Sequence, residues 1–232
     1  VFFPVFFAAC ATSSPSPPTV APAPVAAPVT PEASEPQDPT ARLHAAERAL
    51  IEDPVRLRFV VQSQGAVDAQ FVGALVMDGD RVQIEASGQF AGTPVEVSFR
   101  ADGERMRGEG GAQAFDLPQA DGLREVLGVS VVRMGLLHTL AMLVVGQPPE
   151  VPSGDVREWL VTTPLSDAPT VAVMKPHHDD LPADPVTFGT TVAGDDSITA
   201  TVWIDEGMLL ERQQETRFDE GTMTVLEAFE PL

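Results

Sequence analysis

Residues 121–145 read DGLREVLGVSVVRMGLLHTLAMLVV, and here the pattern of the chain changes. Leu123, Val126, Leu127, Val131, Met134, Leu137, Leu140, Met142 and Leu143 recur at helical spacings. From Val126 to Val145 the only charged or titratable side chains are Arg133 and His138. Apolar residues cover most of the circumference, so this helix is buried, covers a cavity or enters a membrane. Arg133 and His138 near its middle would be expensive in a bilayer. Gly128 and Gly135 lower its helix propensity and suit a helix that bends.

Both flanks of this segment alternate with the period of a strand. Thr40 is placed to N-cap a helix over 41–52, with Leu43, Ala46, Leu50 and Ile51 as its apolar stripe and Pro54 ending it. Val55, Leu57, Phe59 and Val61 then share one face, opposite Arg56 and Arg58, as in a half-buried antiparallel strand. Strands over 71–77, 81–90, 95–100 and 105–108 follow, with Asp-Gly turns at 78–79 and 102–103. Residues 146–185 read as loop with a short strand near 170–174. Four strands, at 186–193, 197–205, 208–218 and 222–229, close the chain. On the last of them Met223, Val225, Glu227 and Phe229 share a face; Glu227 is expected to escape burial through a slipped register or an exposed edge.

The N-terminus is of another kind. Val1–Ala9 is an apolar run ending at Cys10, the only cysteine. Phe7-Ala8-Ala9-Cys10 resembles the lipobox of bacterial lipoprotein signal peptides, which implies cleavage before Cys10 and lipidation of its thiol. The basic opening of such signals is missing, so the natural start is expected upstream. Residues 10–40 hold nine prolines and no large aromatic or leucine side chain. A segment of this composition cannot bury enough apolar surface to order itself and reads as a tether. Stretched at about 3.1 Å per residue it would reach on the order of 90 Å. The expected organisation is a signal remnant over 1–9, a lipidated tether over 10–40 and one folded domain over 41–232.

A formal charge of −20, with Lys175 as the only lysine, excludes a phosphate-binding surface and hence nucleic acid as a partner. His177-His178-Asp179-Asp180 brings metal-ligating groups together, but adjacent residues cannot all face one ion without a sharp turn, and a solvated loop is expected. Asp78, Asp80, Asp195 and Asp196 read as turn chemistry. No G-x-S-x-G, H-E-x-x-H, Walker or dinucleotide-binding glycine pattern is found, so neither an enzyme nor a cofactor is expected.

The order is helix, antiparallel meander, apolar helix, loop, antiparallel meander. With the entry at 41–64 and the closing run TVWIDEGMLLERQQETRFDEGTMTVLEAFE (201–230), the chain resembles LolA and LolB, the periplasmic lipoprotein carrier and receptor family. The resemblance implies an α+β fold: a strongly curved, incompletely closed antiparallel half-barrel whose concave face is covered by helices. It also implies an outer-membrane lipoprotein, facing the periplasm, that binds a lipid or acyl chain and passes it on. The expected apolar lining is Phe59, Val61, Ile84, Phe99, Met134, Leu137, Leu140, Val202, Ile204 and Val225. A filled core gives the same pattern, and the rival expectation is a structural lipoprotein that docks another envelope protein.

Overall fold

β1 (Val55–Gly65) shows how this sequence makes a sheet: Val55, Leu57, Phe59, Val61 and Ser63 are buried and the residues between them are exposed. The same alternation builds β2 (Ala69–Asp78), β3 (Arg81–Phe90), β4 (Thr93–Asp102) and β5 (Arg105–Gly110). Each strand therefore has one apolar face and one wet face. The computed structural model describes residues 38–150, 152–161, 170–172, 185–191, 197–218 and 221–232. Cys10 and the rest of 1–37, His177–Asp180, and Asp195 with Asp196 lie outside the described residues.

The chain continues through β6 (Gln113–Pro118), helices α2 (Leu123–Arg133), α3 (Leu136–Val145) and α4 (Pro152–Leu160), then strands β7 (Thr170–Ala172), β8 (Pro185–Thr191), β9 (Ser197–Asp205), β10 (Met208–Phe218) and β11 (Gly221–Pro231). The eleven described strands form one sheet in the order β6-β5-β4-β3-β2-β1-β11-β10-β9-β8-β7. Every neighbouring pair is antiparallel. The two meanders join where β1 pairs with β11, in unbroken register from Leu57 opposite Pro231 to Gly65 opposite Met223. Among the described residues β6 and β7 each have one neighbour, so the sheet is open, and the fold is α+β.

Several elements differ from the sequence reading. The first helix, α1 (Pro39–Glu52), begins before Thr40: Asp38 is the N-cap, its carboxylate accepts from the Thr40 N–H at 3.4 Å, and Pro39 occupies the first turn. The helix thus starts two residues before the expected boundary at 41. β6 was not expected because its side chains are only half-buried, and its alternation is correspondingly weak. α4 falls where a loop was expected; Val156, Trp159 and Leu160, at helical spacing and buried, are its signal. The 121–145 segment forms α2 and α3, bent by 117° at the break. Among the described residues no single helix is long and apolar enough to cross a membrane.

The helices are tied to one another as well as to the sheet. Arg133 and Glu47 are both buried and paired, with Nε to Oε1 at 2.6 Å and Nη2 to Oε2 at 3.3 Å. His44 Nδ1 meets the same carboxylate at 2.9 Å. Arg124, at the start of α2, donates to the carbonyls of Leu50 and Gly79, both at 3.3 Å, and to that of Asp53. The bonds to Leu50 and Asp53 satisfy carbonyls that the end of α1 leaves free. Glu47→Ala, which removes the buried carboxylate that pairs with the Arg133 guanidinium, is expected to lower stability by about 3–5 kcal/mol. A shift in the urea midpoint below that of Glu52→Ala, an exposed change on the same helix, checks it.

Candidate functional site

The bend between α2 and α3 is built on two neighbouring residues of the sheet. Arg212 on β10 and Glu227 on β11 are direct cross-strand partners, point inward and are fully buried. Arg212 Nε donates to Val132 O at 3.0 Å and its Nη2 to Arg133 O at 2.9 Å, at the C-terminal end of α2. Glu227 Oε1 accepts from the Leu137 N–H at 2.8 Å, in the first turn of α3. A cation thus sits at a helix C-terminus and an anion at a helix N-terminus, the favourable placement for both dipoles. The remaining atoms of the pair, Arg212 Nη1 and Glu227 Oε2, are 3.8 Å apart.

Glu227 is therefore not at a slipped or exposed position. Both its ladders run in register through it, Val61 opposite it on β1 and Arg212 on β10. Burial pushes its pKa up, while the Arg212 charge and the backbone N–H groups of Leu137 and Leu136 pull it down. Burial pulls the Arg212 pKa down and Glu227 pushes it back. At the bend itself Gly135 has φ +90°, and a Cβ there would collide with the Arg212 guanidinium and crowd Glu227 Oε1. Glycine is required on both counts.

Below α3 lies a cavity of about 190 Å³. Met134, Leu137, His138 and Ala141 form its helical wall; Ile198, Gln214, Thr216, Met223 and Val225 form its sheet wall; Val67, Phe90 and Phe218 complete the lining. A register shift on β10 between Leu209 and Glu211 sets the inward row that follows, Arg212, Gln214 and Thr216. The cavity is apolar except for His138, Gln214 and Thr216. Burial, followed by the charge of Arg212, pulls the His138 pKa down to about 4, so its imidazole is neutral at pH 7. A larger depression of about 700 Å³ lies on the outward face of β2–β5, lined by Glu85, Glu96, Ser98 and Glu109 among others. Open to water and rimmed by carboxylates, it offers an apolar ligand little burial.

Of the ten residues expected to line a cavity, Met134, Leu137 and Val225 do so. Phe59, Val61, Ile84, Phe99, Leu140, Val202 and Ile204 sit in the close-packed core, each at most 5% exposed. Alternation marked them as inward-facing, and it carries no information on which inward residues touch one another. His138, Gln214 and Thr216 were not expected in the wall; polar residues at inward positions of β10 are the signal that finds them. Among the described residues no group of three or more His, Cys, Asp or Glu side chains comes together as a metal site. Nothing in the described geometry assembles a nucleophile with a base and an orienting group.

Compared with known proteins, the chain matches no family model and no curated protein.

Two outcomes follow from the charges. Arg212→Met, which leaves Glu227 buried without its counter-charge, is expected to cost about 3–5 kcal/mol. Arg212→Met combined with Glu227→Leu is expected to cost clearly less than the sum of the single changes, as read by urea unfolding in a double-mutant cycle. His138 has a folded pKa below its unfolded value, so the unfolded chain binds its proton first and stability falls as pH drops from about 6.5 toward 4. Between pH 7 and pH 5 this side chain is expected to remove about 2 kcal/mol. A His138→Leu chain should lack that component, and an unchanged pH slope in the variant would refute the assignment.

Proposed function

We propose that the domain is the lipid-binding part of a membrane-anchored envelope lipoprotein, a LolA/LolB-like half-barrel that holds an acyl chain or comparable apolar ligand beneath α3. The observation that carries this reading is the apolar cavity between α3 and the inner face of β9–β11. The finer shape belongs to the same proposal. α3 is near β4, β5 and β6 and also near β11, on the far side of β3, β2 and β1, while α1 is near β7–β10. Helices of 10 and 14 residues reach strands that far apart most readily when the sheet curves around them. Gly73 and Gly88 lie on adjacent strands where a Cβ would meet the neighbouring backbone, Glu85 O and Gln70 O respectively. Glycines at such close approaches are how a sheet bends. The curved sheet would then present its concave face to the helices.

The mechanism is burial. Each methylene removed from water is worth about 0.8 kcal/mol. The cavity, at about 190 Å³, is smaller than the usual ligand site of about 300–1,000 Å³, so a long chain requires α3 to shift. Such a shift would pivot at Gly135, where Arg212 and Glu227 hold the helix ends, and would slide the apolar Leu136, Leu140 and Leu143 against the sheet. Lipidation at Cys10 and the proline-rich tether would keep the domain near a membrane while it exchanges ligand.

The test is native mass spectrometry on the chain carrying Cys10→Ala, followed by organic extraction and titration with an apolar fluorophore. Co-purifying lipid at about one per chain, displaced by the dye, is the expected result. Ala141→Phe, which fills the cavity from α3, is expected to abolish dye uptake while the domain stays folded. A clean mass with no dye uptake in the unsubstituted cavity would overturn the proposal and favour a scaffold that docks a protein partner.

A further inference from the structure

Two polar side chains in the cavity wall play no part in holding the bend. Gln214, 8% exposed, donates from Nε2 to Thr216 Oγ1 at 2.6 Å. Its Oε1 is buried and has no hydrogen-bond partner among the described residues. His138 Nε2, on the facing helix, is buried in the same condition. Both side chains line the one cavity. Leaving a buried polar atom unpaired costs about 1–3 kcal/mol, and methionine or leucine would fill either position without that cost. A wall that retains both is matched to a ligand that brings its own hydrogen-bonding group.

The chemistry of that group is constrained from each side. A carboxylate would meet the Gln214 carbonyl oxygen, and the chain already carries a net charge of −20. An ammonium would lie near Arg212, whose charge is felt at His138. A plain hydrocarbon would leave both atoms unpaired. We propose that the cavity selects an alkyl chain bearing a neutral hydroxyl, whose O–H donates to Gln214 Oε1 and whose oxygen accepts from the Nε2–H of His138. The head lies toward the α2–α3 bend, one inward position along β10 from Arg212, and the chain runs toward Phe90 and Phe218. This inference rests on the lipid-binding reading above.

The experiment measures displacement of an apolar fluorophore from the Cys10→Ala chain by 1-octanol, by octyl methyl ether and by octanoate at pH 7. The ether keeps the chain and the oxygen but cannot donate. Octanol is expected to bind about tenfold more tightly than the ether, and octanoate more weakly than octanol. Gln214→Met is expected to erase the difference between octanol and ether while leaving ether affinity within a factor of about two. Equal affinities in the unsubstituted wall, tighter octanoate, or a preference retained in Gln214→Met would each overturn the headgroup assignment and leave lipid binding standing. If none of the three displaces the dye, or the dye itself is not taken up, both the assignment and the lipid-binding reading fall. The ratio in the unsubstituted wall decides the matter even where Gln214→Met does not fold.

Discussion

The buried pair of Arg212 and Glu227 is the constraint on which the helical layer depends. A break in a helix exposes carbonyls on one side and N–H groups on the other, and a buried break must find partners for both. Here two adjacent inward residues supply them, a guanidinium for Val132 and Arg133 and a carboxylate for Leu137. Each charge is tolerated in the core because it meets a helix end and its opposite. The position of α3, and with it the roof of the cavity, follows from where β10 and β11 place these two side chains.

The sheet separates its tasks by face. Inward residues make one continuous core, which the helices complete. Outward residues carry ion pairs such as Arg100 with Glu85 and Arg105 with Asp116, which are exposed and contribute little to stability. Their value lies in keeping the outer face wet. The polar row on β10 departs from this division, since Arg212, Gln214 and Thr216 point inward, as do Glu227 on β11 and Ser63 on β1.

The architecture was largely legible in the sequence because strands with one wet face write their period directly into it. β1, β9 and β10 lie where alternation placed them, and α1 ends at Glu52, ahead of Pro54, as expected. Asp38 displaced Thr40 as the cap because Pro39 can occupy the first helical turn, which moves the start two residues earlier. Half-buried β6 and short α4 carried too few apolar residues to stand out. Glu227 was misread for a deeper reason. A carboxylate on an apolar face looks like an error of register until its partner is known, and that partner, Arg212, comes from a strand whose sequence is mostly polar. The site residues were the least legible. Inward direction is a local property, whereas lining a cavity depends on three elements meeting, and no spacing encodes that meeting.

The join between the meanders has a consequence for the history of the molecule. Within each meander neighbouring strands are close in sequence, but Phe59 pairs with Phe229, and the chain must leave the sheet at β6 and return at the opposite edge, β7. Hairpins form on local contacts, while a seam between chain ends waits for the closure of a very large loop. Until that seam zips, β1 and β11 are free edges with apolar faces, the kind of surface on which chains aggregate. A newly made chain is therefore most vulnerable at its centre-line, in the strands that lie deepest within the finished sheet.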